Sequence, residues 1–244
     1  DAGGMGSSLA PMGAADMLLT VGRLSDAVAI LEPAIEIADN PFQKAAMLVA
    51  VAEAQLALGR TDASAATAEA ALQLSGQDAI QYLGARIMMA VGRPEVADEI
   101  ALELENKLQT QTTALSALIR GERALDKGQL GTAMREFRFA REDYDLWFGH
   151  FLRGRAFFAA GHYPEALDVF DFCVRGMGVI TVVFLVVSAT LRYYPPALYW
   201  LGRCHEELGN KDAAGELYRE YVALRGDADT PDELAADAAE RLGS

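Results

Sequence analysis

The chain has 244 residues, 52% of them hydrophobic, with 35 acidic side chains against 21 basic ones and a net charge of −14. That balance excludes a general binder of nucleic acid or anionic membrane, whose phosphates need a basic surface, and it favours a basic or amphipathic partner. Two cysteines, Cys173 and Cys204, are too few for a disulfide framework and read as reduced thiols of a cytoplasmic protein.

The first stretch, DAGGMGSS within residues 1–9, reads as a Gly/Ser-rich linker, with neither the basic nor the apolar segment of a signal peptide. That start and the closing Leu242-Gly243-Ser244 predict a piece of a larger protein. From about residue 10 onward one feature dominates. A glycine recurs in the same context at Gly22, Gly59, Gly92, Gly128, Gly161 and Gly209, at spacings of 37, 33, 36, 33 and 48. Each follows an apolar helical stretch and precedes a second one. A period in the mid-thirties marks an array of helix-turn-helix repeats, here over residues 10–226.

In chain order, the first repeat is degenerate. Pro11 and Gly13 in its leading helix predict a frayed or half-formed start. In the second, KAAMLVAVAEAQLALG ends at Gly59, which takes the left-handed conformation of a helix end without steric cost. Thr61 or Asp62 is the expected cap of the helix after it. The fourth repeat runs from ALSALIRGERALDK to TAMREFRFARE, and the fifth from WFGHFLRGRAFFAA to PEALDVFDFCVR, with Pro164 in the first turn of its second helix. The sixth runs from ALYWLGRCHEEL to DAAGELYREYVALR. Residues 227–244 then start a last helix at Thr230-Pro231-Asp232, acidic on its outer side as suits a solvent-facing cap.

The 48-residue spacing leaves about 14 residues over, within the insert 176–194, whose run GMGVITVVFLVVSATL carries no charge. It is shorter than the roughly 20 residues of a membrane span. It reads as an extra helix or extended arm packed on the array. The alternatives are a partner or self-association interface through Val179, Val182, Phe184 and Val186, and a membrane-touching or aggregation-prone segment.

This pattern resembles the tetratricopeptide repeat family. With each turn glycine counted as position 15, position 8 holds Ala52, Ala85, Gly121, Gly154 and Gly202. Position 20 holds Ala27, Ser64, Ala97, Ala133, Ala166 and Ala214, and position 24 holds Leu31, Ala68, Ala101, Phe137, Phe170 and Tyr218. The Trp often found at position 4 is missing, and the Pro at position 32 is mostly missing. The resemblance implies an all-α, right-handed superhelical solenoid of about six repeats with a C-terminal capping helix. Small residues at positions 8 and 20 would let paired helices approach closely, while the larger residue at 24 fills the space beside them. A narrower resemblance, in AADMLLTVGRLSDAVAILE and in the sixth repeat, is to the repeat regions that follow the kinase domain of some bacterial serine/threonine kinases. It implies a sensor or docking region whose catalytic domain is absent here. In those proteins acidic residues interrupt the segment where this chain has Ile180, Val186 and Val187.

In the family, positions 2, 5, 9 and 12 of each leading helix face a concave groove. The resemblance therefore implies a groove lined by Arg86, Phe148, Phe151, Arg155, Phe158, Tyr199, Trp200 and Arg203. Arginine pairs a carboxylate in bidentate fashion and aromatics give large anchors, so an acidic or C-terminal peptide, extended or helical, would fit. The competing reading is that Arg155 and Arg203 only neutralise nearby Asp and Glu. The carboxylate clamp of chaperone-binding members is lacking. No catalytic residue, cofactor or metal site is expected: His205-Glu206-Glu207-Leu208-Gly209 has no second histidine where a zinc-protease helix needs one. A non-catalytic interaction scaffold and a regulatory region of a signalling enzyme are the two functional classes left, with an enzyme in its own right a distant third.

Overall fold

The computed structural model describes residues 3–144, 146–176 and 190–243, and every regular element among them is helical. The helices are α1 (Gly3–Val21), α2 (Leu24–Ile37), α3 (Pro41–Ala57), α4 (Thr61–Leu74), α5 (Asp78–Ala90), α6 (Pro94–Asn106) and α7 (Thr110–Asp126). They continue as α8 (Leu130–Asp143), α9 (Trp147–Ala159), α10 (Tyr163–Arg175), α11 (Tyr194–Glu207), α12 (Lys211–Leu224) and α13 (Glu233–Leu242). A short 3-10 helix, Thr190–Tyr193, leads into α11. The insert residues Val179, Val182, Phe184 and Val186 lie outside the described residues.

Each turn glycine sits between two helices with φ between +68° and +83°, a conformation that costs glycine least. The same two bonds close all six turns. At the second, Gly59 N–H donates to the Leu56 carbonyl at 2.9 Å and Arg60 N–H to the Gln55 carbonyl at 2.8 Å. These bonds satisfy carbonyls that the helix end would leave open. They also correct the expected cap. Neither Thr61 nor Asp62 caps α4; Arg60 holds the cap position without a side-chain bond, because the closed turn delivers the chain straight into the helix at Thr61. The last helix does start at a side-chain cap, with Asp232 accepting from Leu234 N–H and Ala235 N–H.

Helices pair as α1/α2, α3/α4, α5/α6, α7/α8, α9/α10 and α11/α12, and α13 closes the stack on α12. The leading helices of neighbouring repeats also touch, α3 on α5, α5 on α7, α7 on α9 and α9 on α11. The second helices lie further apart, so the array curves with its leading helices on the inside. The pairing is set by size. A Cβ on Gly121 would come within 2.3 Å of the Phe137 ring, one on Gly154 within 2.8 Å of Phe170, and one on Gly202 within 2.7 Å of Tyr218. Earlier repeats carry buried alanines at both places, Ala52 with Ala68 and Ala85 with Ala101. In the second repeat, Ser64 also bonds across the pair, its hydroxyl donating to the Ala52 carbonyl at 2.7 Å.

The first repeat is fully formed rather than frayed. Met12, Ala15 and Leu19, at helical spacing on α1, are buried against α2, and this contact outweighs the loss of one backbone donor at Pro11. The two ends of the array also meet. Asp229 N–H donates to the Gly22 carbonyl at 3.0 Å. The Arg225 guanidinium donates to the carbonyls of Leu19 at 3.3 Å and Thr20 at 3.1 Å. The loop after α12 is thereby tied to the first turn.

The buried thiols and phenols give the fold a defined alkaline limit. Burial pushes the Cys173 and Cys204 thiols up to about 12. Burial, reinforced by a carboxylate neighbour, also raises the phenols of Tyr82, Tyr194, Tyr199, Tyr218 and Tyr221. These groups hold their protons in the native state to higher pH than in the unfolded chain. Stability is therefore fully present below the ordinary thiol and phenol range and falls as pH rises through it. In an alkaline titration, phenolate absorbance from these tyrosines should rise together with loss of helical ellipticity. Phenolate formation by all five with helicity intact would contradict this. At neutral pH the two thiols should resist alkylation until the chain is unfolded.

Candidate functional site: a concave groove with two clusters

Leading helices at 3.6 residues per turn send positions 5, 9 and 12 to one face. Of the eight expected groove residues, Arg86, Phe148, Phe151, Arg155, Phe158, Tyr199 and Arg203 hold positions 2, 5, 9 or 12 of their helices, while Trp200 stands at position 6, one residue off that face; their contacts gather in two groups. The first centres on Arg86 of α5, whose Nε lies 3.0 Å from both carboxylate oxygens of Glu122 on α7. Its guanidinium carbon stands 4.0 Å above the Phe148 ring, and Tyr82 donates its hydroxyl to Glu122 at 3.2 Å. Both charged side chains are mostly buried, 16% and 13% exposed. Burial alone would lower the Arg86 pKa, but the Glu122 carboxylate together with the Tyr193 and Tyr82 hydroxyls more than reverses this and raises it instead.

The chain fills this part of the groove with its own residues. Tyr193 of the 3-10 helix accepts a hydrogen bond from Arg86 and packs 4.6 Å from Phe148 and 5.8 Å from Phe151, ring centre to ring centre. Next to it, Arg192 pairs with Asp16 of α1 at 2.9 Å and with Glu53 of α3. Sequence reasoning did not pick out Arg192 and Tyr193. Their one signal was position: a cation and an aromatic at the point where the insert returns to an acidic array.

The second group lies between α9 and α11. Phe158 meets Trp200 edge to face at 5.1 Å, and Trp200 stacks on Phe170 at 6.4 Å. Here the two arginines differ. Arg203 is held by Glu206 at 3.4 Å and Glu207 at 3.3 Å and donates to the Tyr199 hydroxyl at 3.2 Å. Tyr199, itself buried, donates to Asp237 of α13 at 2.6 Å. Arg241 then joins Asp237 at 2.6 Å to Glu206 at 2.7 Å. Arg203 and Tyr199 thus belong to a network that fastens the cap.

Arg155 stands apart from that network. Its guanidinium carbon is 5.5 Å from the Trp200 ring centre, and among the described residues no carboxylate lies within ion-pairing distance of it. Arg155 is exposed to solvent, and partial desolvation by the surrounding protein lowers its pKa against the pull of Glu122 and Asp126. Arg155, Phe158 and Trp200 together form a cationic, aromatic and accessible corner.

Among the described residues no three His, Cys, Asp or Glu side chains are grouped to hold a metal ion, and no helix is long and apolar enough to cross a membrane. A family model described as tetratricopeptide repeat matches residues 186–231. Comparison with curated proteins finds no significant match. Among solved structures, a thermophilic tetratricopeptide repeat protein of Thermus thermophilus aligns with a TM-score of 0.56 at 18% identity, over 81% of this chain and 98% of its own. A chain of the APC/C hetero-tetramer Cut9–Hcn1 aligns with a TM-score of 0.57 at 14% identity, over 93% of this chain and 41% of its own. With its six glycine-closed helix pairs, the family match in its last repeat and these arrays of like fold, the chain is a solenoid of tetratricopeptide-type repeats.

Proposed function

We propose that the protein is a non-catalytic interaction scaffold that holds a peptide or helix of a partner protein in its concave groove. The observation that carries this reading is Arg155, a partly desolvated cation with no close carboxylate among the described residues, set beside Trp200 and Phe158. A carboxylate from an acidic side chain or a chain terminus would pair with the guanidinium in bidentate fashion, and an apolar neighbour would rest on the two rings. The fold supports the reading, since curved helical arrays present extended inner surfaces of this kind. The Arg86 cluster gives this corner a fixed wall instead of a second contact, because its charges are already matched within the chain.

The test begins with peptides selected from a random displayed library against the full chain, followed by fluorescence anisotropy. Replacing Arg155 by Glu should weaken the selected acidic peptides by about ten-fold or more. Replacing the exposed Arg23 or Arg60 by Glu should leave their binding nearly unchanged. Equal losses at all three positions would refute the groove as the binding surface.

A further inference from the structure

We propose that the cleft between α8 and α9, on a face other than the concave groove, is a second docking site that takes a short acidic segment of a partner protein. The cleft encloses about 590 Å³. On α8 it is bounded by Met134, Arg135, Arg138 and Arg141, and on α9 by Arg153 and Phe157. Arg153 and Phe157 stand four apart on α9 and so share a side, one that Phe151, Arg155 and Phe158 do not occupy. The seam between two repeats therefore presents one face of α9 to the cleft and another to the groove.

Charge selects the occupant. The chain carries −14 overall, yet among the described residues four arginines and one carboxylate, that of Glu142, line this cleft. Arg135, Arg138 and Arg141 follow one another at three-residue steps on α8, a spacing at which like charges repel. Arg135 has a carboxylate at 3.6 Å in its neighbour Glu136. Among the described residues, Arg138 and Arg141 have none within ion-pairing distance, and both are exposed. An added carboxylate would relieve that repulsion and meet planar guanidinium forks suited to it. Met134 and Phe157, both half-buried, supply apolar walls for an aliphatic or aromatic side chain beside the acids. A long polyanion is disfavoured. Nucleic acid or an anionic membrane would extend past the cleft into the field of a strongly acidic protein, whereas a short peptide keeps its charge inside it.

The probe is a short fluorescein-labelled peptide of Asp and Glu with Leu at every fourth position, titrated into the full chain by anisotropy. Replacing Arg138 or Arg141 by Glu should weaken binding by about ten-fold or more, and added salt should weaken it further. The titrations are run in an Arg155→Glu chain, whose groove contact for acidic peptides is removed, and there replacing the exposed Arg60 by Glu should leave binding to the cleft nearly intact. Arg138→Gln provides a milder variant, with ellipticity checked for each protein. The proposal is overturned if the probe does not bind the Arg155→Glu chain, or if Arg60→Glu there costs as much as Arg138→Glu. It is also overturned if an oligonucleotide of equal charge competes as well as the peptide. A dimer that Arg138→Glu dissolves, without probe binding, would make the cleft a self-association surface instead.

Discussion

Replacing Glu122 by Ala should destabilise the protein by about 3–5 kcal/mol, because it leaves the buried Arg86 guanidinium without its counter-charge. Among the described residues that carboxylate is the one ion-pair partner of Arg86: Tyr82 and Tyr193 bring hydroxyls to the cluster, and Phe148 offers only its ring face. The same loss should loosen Tyr193, and with it the 3-10 helix Thr190–Tyr193. A double variant, Arg86→Met with Glu122→Leu, removes both charges together and should recover most of the loss, since apolar replacement of a buried pair is often neutral or better. Urea unfolding followed by helical ellipticity measures both. A loss below about 1 kcal/mol for Glu122→Ala would mean that the pair is effectively solvated, as surface pairs are.

The second large effect is in the helix pairs, where glycine and aromatic are matched by size. Phe137→Ala should cost about 3–5 kcal/mol by opening a cavity beside Gly121. Gly121→Ala alone should cost about 1–3 kcal/mol, because its new methyl would stand within 2.3 Å of the Phe137 ring. The combination restores the Ala and Ala pairing that Ala52 with Ala68 and Ala85 with Ala101 already use. The double variant should therefore be more stable than Phe137→Ala alone, a coupling of opposite sign to simple addition. Strict additivity in thermal or urea unfolding would show that the methyl at 121 does not refill the space.

These two effects also show how much was legible in the chain. The six glycines marked the turns because a positive φ is a local demand that only a few residues meet cheaply. The small and large residues of the helix pairs were legible for the same reason: partners sixteen residues apart within one repeat repeat their spacing along the chain. Long-range contacts left no such periodic trace. The tie from Arg225 and Asp229 to the first turn joins residues about 200 apart, and nothing in the local pattern points to it. The same holds for Arg192 and Tyr193, which reach across to Asp16, Glu53 and Arg86. Within the candidate site, residue type alone could not separate Arg155 from Arg203. Arg203 carries carboxylates three and four residues on along its own helix, and α13 folds back to bring Asp237 to its partner Tyr199. Arg155 has no acidic neighbour at those spacings, which was readable, but its place beside Trp200 depends on how α9 meets α11.

The central claim, that the groove face of α9 and α11 receives the partner segment, is tested most directly by photocrosslinking. A benzoylphenylalanine replaces either Phe158 in the groove or Phe172, which is 51% exposed on the outer helix α10. With a peptide selected against the full chain, the account predicts a crosslink from position 158 that Arg155→Glu removes, and little from position 172. A crosslink from 172 with none from 158 would contradict it.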